Sequence, residues 1–337
     1  MKKLGLLIAL FVLVSASLPA WAQDPTPVAE GLNSPRGLAY DENGVLFVAQ
    51  SGIGGPIETN GPFGPATLGY SSQISTVLDG QTQTLIGGLP SLEAQPSELL
   101  GAISVALDSN TLWVVMGHEI VNVPFSATIV GFDRITLRPQ HVIDLYAYEQ
   151  ANNPDGKEVL SNPNDIAIAE DGTLYIVDAS GNAVYTWTIE AGLQVWKSWD
   201  TNPVPTSVAI GADGSIFIGF LTGFPFPAEG ATIDQYNPDG TLVTTYAGLT
   251  AVTDIIWHDG TLFAVQIASG FGETGWIPDS GSIVAVTPDG LFPVAEGLNF
   301  PYALAATPDG TQLAVSVNSS YSEAGSGAVW LVSATPQ

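Results

Sequence analysis

The chain alternates short apolar runs with tight polar turns from end to end, and the alternation repeats as one unit. The first copy is Pro35-Arg36-Gly37-Leu38-Ala39-Tyr40, the turn Asp41-Glu42-Asn43-Gly44, then Val45-Leu46-Phe47-Val48-Ala49. Five further copies follow: Ile103–Met116, Pro163–Asp178, Pro205–Phe220, Val252–Gln266 and Pro301–Val317. Their turns are Asp108-Ser109-Asn110, Asp171-Gly172, Asp213-Gly214, Asp259-Gly260 and Asp309-Gly310. Asp-Gly or Asn-Gly between apolar runs is a strong short-range hairpin signal, because a two-residue hairpin turn needs positive φ at both central residues.

Each unit continues with two more strands. Third strands are predicted over Gln73–Leu78, Thr128–Asp133, Ala183–Thr188, Thr232–Asn237, Ser282–Thr287 and Ala328–Ser333. Fourth strands are predicted over Thr82–Gly87, His141–Tyr146, Leu193–Trp199, Leu242–Ala247 and Leu291–Ala295. The sixth unit lacks its fourth strand downstream. Val28-Ala29-Glu30-Gly31-Leu32-Asn33 nearly repeats Val294-Ala295-Glu296-Gly297-Leu298-Asn299, so the N-terminal segment is expected beside Ala328–Ser333. The expectation is an all-β, six-bladed β-propeller with four antiparallel strands per blade, its N-terminal strand closing the last blade.

In such a ring, the loops between second and third strands share one face with the connections between blades. All the long insertions are of this kind: Ser51–Ser72, Gly117–Ala127, Leu221–Ala231, Ala268–Gly281 and Asn318–Gly327. A scaffold with short hairpins on one face and long loops on the other is expected to carry its function on the long-loop face. The second-strand aromatics Phe47, Trp113, Tyr175, Phe217 and Phe263 occupy equivalent positions and are expected to wedge between blades. Phe63, Tyr70, Phe224, Phe226, Phe271, Trp276 and Tyr321 fall in insertions and are candidates to line a cleft.

Residues 1–22 read as a cleaved export signal, with Lys2 and Lys3, the apolar run Leu4–Val14 and the small-residue site Ala20-Trp21-Ala22. Residues 23–337 are then one propeller domain, secreted or periplasmic, with no membrane insertion after cleavage. The chain has no cysteine, which argues against disulfides, thiolate metal sites and cysteine nucleophiles. It holds 33 acidic and 7 basic residues, a formal net charge of −26. That field repels nucleic acid and attracts cations. No Gly-x-Ser-x-Gly elbow, phosphate loop or dinucleotide fingerprint is present.

Several stretches resemble the ScyD/ScyE family of exported propellers: Gly31-Leu32-Asn33-Ser34-Pro35-Arg36-Gly37-Leu38-Ala39, Gly88-Leu89-Pro90-Ser91, Tyr148-Glu149-Gln150-Ala151-Asn152-Asn153-Pro154-Asp155-Gly156, Ser161-Asn162-Pro163-Asn164 and Val177-Asp178-Ala179-Ser180-Gly181-Asn182-Ala183. Ser180 and Asn164 depart from the Gly and Tyr common there. The family is named for exported proteins encoded beside the genes for an indolic-phenolic sunscreen pigment. The resemblance implies a six-bladed propeller similar to the NHL and lactonase-type propellers, and names no reaction.

Alignment of the units puts Arg36, Ile103, Asn164, Thr206, Thr253 and Tyr302 at one equivalent position, and Gly37, Ser104, Asp165, Ser207, Asp254 and Ala303 at the next. One of these rings is expected to face the axis. Asp165 and Asp254, with Asn164, Asp178 and Asn182, offer hard oxygens to Ca²⁺, the one cofactor these residues point to. The lactonase-type resemblance implies calcium in the same region. Arg36, one of five basic residues left after signal removal, is a candidate clamp for an anion or an internal partner of Glu119 or Asp254. His118 is a candidate general base, and Glu119 beside it a candidate ligand-binding residue. Glu149, Asn152 and Asn153 make a polar turn on the expected functional face, and Tyr302, Phe224, Phe226 and Trp276 complete the ligand-binding candidates. The leading expectation is a binding or accessory propeller that takes a small organic ligand or a protein partner. The alternative is a calcium-dependent lactonase-type hydrolase or lyase acting at the channel mouth.

Overall fold

The computed structural model describes residues 25–62, 64–94, 98–120 and 122–336. The expected leader and Phe63 lie outside them. Among the described residues there is one helix, Leu145–Asn152, and the regular structure is otherwise β.

Five four-stranded antiparallel sheets and one six-stranded sheet follow the sequence repeats. The second comprises Ala102–Leu107, Thr111–Met116, Thr128–Asp133 and Pro139–Asp144. The third comprises Pro163–Ile168, Leu174–Asp178, Ala183–Thr188 and Gly192–Ser198. The fourth is Pro205–Ile210, Ile216–Phe220, Ala231–Tyr236 and Leu242–Leu249, and the fifth Val252–His258, Thr261–Gln266, Gly281–Thr287 and Gly290–Leu298. The sixth runs Leu304–Ala306, Gln312–Val317 and Gly327–Ser333, and takes Thr26–Leu32 as its outer strand, with Thr26 opposite Leu331 and Leu32 opposite Gly327. The N-terminal segment therefore pairs where its internal repeat predicts.

The first sheet corrects one expectation. Residues 51–72 are not a loop, because Ile57–Gly61 pairs with the start of Gly64–Leu78 and that strand continues into the sheet. Gln81–Ala94 and Glu98–Leu100 extend the same sheet to six strands.

Hairpin chemistry differs from expectation as well. Asp259 and Asp79 do take positive φ before their glycines, but at Asp171-Gly172, Asp213-Gly214 and Asp309-Gly310 only the glycine does. There the Asp side chain accepts from the backbone N–H two residues on, in Thr173, Ser215 and Thr311. These are Asx turns, in which the carboxylate stands in for a backbone acceptor.

Packing joins each sheet to the next. Phe47, Trp113, Tyr175, Phe217 and Phe263 are all buried, and each lies in an apolar cluster with residues of the following sheet: Leu112, Ile166, Val208, Ile255 and Leu304 respectively. A further cluster joins Leu38 and Val48 of the first sheet to Ala29, Ala305 and Val329 of the sixth. Each large side chain fills the wedge between twisted neighbouring sheets, where dense apolar contact holds them together. No helix among the described residues is long and apolar enough to cross a membrane.

Candidate functional site

The first strands converge on the middle of the molecule, and two cavities meet there. The larger, of about 660 Å³, has all six side chains of the Arg36 ring in its lining: Arg36, Ile103, Asn164, Thr206, Thr253 and Tyr302. The smaller, of about 110 Å³, is lined by Gly37, Ser104, Asp165, Asp254 and Ala303 of the next ring. Ile103, Asn164, Thr253 and Tyr302 of the first ring line it too, so the two cavities share a boundary.

The floor is stitched by hydrogen bonds between sheets. The Tyr302 hydroxyl donates to Asn164 Oδ1 at 2.9 Å, and Asn164 Nδ2 donates to the Thr206 carbonyl at 2.7 Å. Thr206 Oγ1 donates to the Val252 carbonyl and Thr253 Oγ1 to the Tyr302 carbonyl, both at 2.8 Å. Such satisfied buried polar groups rigidify a floor. Arg36 is 2% exposed, with its guanidinium carbon 4.2 Å from the Tyr302 ring centroid.

The walls come from the long loops. All five insertions contribute lining residues, among them Pro62, His118, Phe226, Trp276 and Tyr321. Phe226, Phe271 and Trp276 form one aromatic cluster, with ring centroids 4.9–5.2 Å apart, and the exposed Phe224 packs edge-on against Phe226 and Phe271 at the mouth.

His118 lines the same cavity, buried, at φ +49°. Its backbone N–H donates to Asn162 Oδ1 at 3.0 Å, and its Nδ1 lies 3.4 Å from Glu119 Oε2. That oxygen also accepts from the Ser161 N–H. Glu119 therefore orients the imidazole and anchors the loop, and does not itself line the cavity. A left-handed non-glycine residue beside a cavity is the kind of local strain that functional positions hold.

Glu149, Asn152 and Asn153 line neither cavity. The polar turn expected there is the helix Leu145–Asn152, N-capped by Asp144, with Asn153 as a left-handed C-cap. Asn152 and Asn153 spend their side-chain amides on the Tyr148 and Lys157 carbonyls. Glu149 is wholly buried, accepting from the Tyr185 hydroxyl at 3.3 Å. Burial first, and then the charges of Asp178 and Asp155, push its carboxyl up to about 7.

The five oxygen residues proposed for calcium do not assemble. Asp165 and Asp254 line the axial cavity, Asn164 is committed to the floor network, and Asp178 and Asn182 line neither cavity. Asp178 accepts from the Asn162 and Gly181 N–H groups and the Ser161 hydroxyl, and Asn182 donates to Asp155. Asp165 accepts from Ser104 Oγ and the Val208 N–H, and Asp254 from the Ile255 and Leu304 N–H groups. Among the described residues no three His, Cys, Asp or Glu side chains form a group able to hold a metal. Burial raises both axial carboxyls, Asp165 to about 6, and the Asp165 charge raises Asp254 further.

Neither protein-family models nor curated sequences give a match to the chain. Solved structures do. A streptogramin B lyase aligns at 14% identity and a TM-score of 0.53, covering 91% of this chain and 96% of its own. The PQQ-bound aldose sugar dehydrogenase of Streptomyces coelicolor aligns at 14% and 0.57, covering 91% and 96%. The gluconolactonase XC5397 of Xanthomonas campestris aligns at 13% and 0.57, covering 91% and 88%. The fold is a β-propeller.

Within the propeller, the ring at the channel mouth was readable from repeat equivalence alone. The lining residues Leu160, Val204, Ile267, Glu98 and Glu158 were not, because they belong to segments whose sequences do not repeat.

Proposed function

We propose that this chain is an exported, six-bladed propeller whose long-loop face binds a small organic molecule in the wide cavity. The observation that carries the reading is the cavity itself. Its volume of about 660 Å³ falls in the range of small-molecule sites, roughly 300–1,000 Å³. Aromatic side chains from two separate insertions meet at its mouth over a floor of fixed polar groups. Rings contribute large apolar contact at small entropic cost, so the arrangement favours a ligand with a flat or apolar body. The ScyD/ScyE resemblance and the leader expected over residues 1–22 support export.

The test is ligand screening by thermal shift with the purified protein, repeated on the double variant Phe226→Ala, Trp276→Ala. Hits that stabilise the wild type and fail to stabilise a folded double variant support the site. Hits that stabilise both equally place the binding elsewhere.

A second reading, a hydrolase or lyase, is favoured by one observation: His118 lines the cavity with Glu119 behind it. A carboxylate-oriented imidazole is a competent general base, and solved neighbours include a lyase and a gluconolactonase. Lactone opening by the purified protein, abolished in His118→Gln, would select this reading. A metal step has no support in the residues of either cavity.

A further inference from the structure

The wide cavity holds a buried cation that forms no ion pair. Among the described residues Arg36 is the one Lys or Arg side chain in its lining, and it is nearly inaccessible. Its Nη2 donates to the Leu99 carbonyl at 3.1 Å, while its Nε is buried with no hydrogen-bond partner. The ion pairs among the described residues are His118–Glu119 and Arg134 with Asp41 and Glu42, and none involves Arg36. Glu119 and Asp254, the two partners that the sequence offered for it, are occupied elsewhere. A buried guanidinium without a counter-charge is costly. Glu98 lines the same cavity and acts on Tyr302 and Tyr321 alongside Arg36, yet it makes no ion pair with the guanidinium, which leaves the contact place itself for a ligand's own anion.

The aromatic surface reaches the same charge. Tyr302 lies beneath the guanidinium, and Tyr321 feels the charges of both Glu98 and Arg36 while engaging Trp276. Trp276 in turn packs on Phe226 and Phe271. The acids of the lining, Glu98 and Glu158, form no ion pair with Arg36, and Glu158 is exposed. They disfavour a second negative group elsewhere on the ligand.

We infer that the cavity takes an aromatic organic monoanion, with its carboxylate, sulfonate or phenolate against Arg36 and its ring system against Phe226, Phe271 and Trp276. This rests on the reading of the cavity as a small-molecule site. Arg36 supplies a charge-assisted contact in a poorly solvated place, where it discriminates strongly between charged and neutral ligands. The rings supply the apolar contact, which is indifferent to that charge.

Two fluorescent probes that differ by one anionic group separate these contributions. 8-Anilinonaphthalene-1-sulfonate and its uncharged analogue N-phenyl-1-naphthylamine are titrated into the folded wild type at pH 7. The sulfonate is expected to bind about 10-fold tighter or more, as one charge-assisted contact implies. Arg36→Met should abolish that preference while leaving the neutral probe within about 2-fold, and Arg36→Lys should keep part of it. Trp276→Ala should weaken both probes. Equal affinities in the wild type overturn the anion inference and leave the cavity reading intact. Binding of neither probe, or binding of both unaffected by Trp276→Ala, removes the cavity reading and this inference together. The wild-type comparison stands even if Arg36→Met does not fold.

Discussion

Tyr302 and Asn164, 138 positions apart in the chain, are joined by a 2.9 Å hydrogen bond between the sixth sheet and the third. Both residues line both cavities, so this bond forms the partition between the ligand-sized space and the axial one. Tyr302→Phe keeps the ring beneath Arg36 but leaves Asn164 Oδ1 without its donor, and is expected to destabilise by about 1 kcal/mol. Tyr302→Ala also merges the cavities and removes the stacked ring, and is expected to cost roughly 3–5 kcal/mol. Urea denaturation of the two variants measures both. Equal losses would mean that the hydroxyl, not the ring, is the structural part.

Glu149 makes stability depend on pH in an unusual direction for a carboxylate. Its folded value of about 7 exceeds the ordinary 4.5, so the folded state binds the proton more tightly than the unfolded chain does. The stability associated with that proton is present below about 4.5 and is lost as pH rises to about 7. Asp178, raised by burial, acts with the same sign. The melting temperature should therefore fall between pH 5 and pH 8. Glu149→Gln keeps an acceptor for Tyr185, carries no charge, and should flatten that fall, with a gain of roughly 1–3 kcal/mol at pH 8. A variant with an unchanged pH profile would show that Glu149 stays ionised.

The sheets were legible because each hairpin carries its own local turn signal and each strand its own alternation, so six copies corroborate one another. Arg36 and Tyr302 could be placed in one ring for the same reason, since repeat equivalence transmits position across nearly 270 residues of sequence without any contact between them being known. Glu149 was misread because its helix is only eight residues long and buries just Leu145 and Glu149, too little for a helical period. Its burial depends on Tyr185 and Asp178 from another part of the third sheet's surroundings, which no local pattern encodes. The calcium set failed on the same ground. Asp178 and Asn182 carry residue types that suit a metal, but backbone N–H groups nearby claim Asp178 and the Asn182 amide donates to Asp155.

The axial carboxylates should respond unequally to the same substitution. Asp165 accepts from the Ser104 hydroxyl, which can rotate to accept instead, so Asp165→Asn keeps both contacts and removes the charge that opposes Asp254. It is expected to be neutral or stabilising, by up to about 1–2 kcal/mol at pH 7. Asp254 accepts from two backbone N–H groups that cannot reverse, so Asp254→Asn sets an amide NH₂ against one of them and should destabilise by about 1–3 kcal/mol. Thermal melts at pH 7 read the difference, and the opposite order would overturn the assignment of the hydrogen bonds.

The N-terminal strand should be separable in a way that reveals what it does. Ala29 and Leu32 sit in the cluster that joins the sixth sheet to the first, and Asn33 Oδ1 accepts from the Gly325 N–H at 2.9 Å. Deleting residues 25–33 opens the cluster and strips the partner from Gly327–Ser333, leaving a row of unpaired backbone groups. Loss of roughly 3–5 kcal/mol is expected from the emptied apolar positions and ladder together. An exposed strand edge also recruits other chains, so the variant should form concentration-dependent oligomers in light scattering. A synthetic peptide spanning residues 25–33, added in excess, should restore the monomer and raise the melting temperature, because the ladder and both buried side chains are supplied in trans. A deletion variant that melts like the intact chain and stays monomeric would show that the seam between the sixth and first sheets holds without this strand.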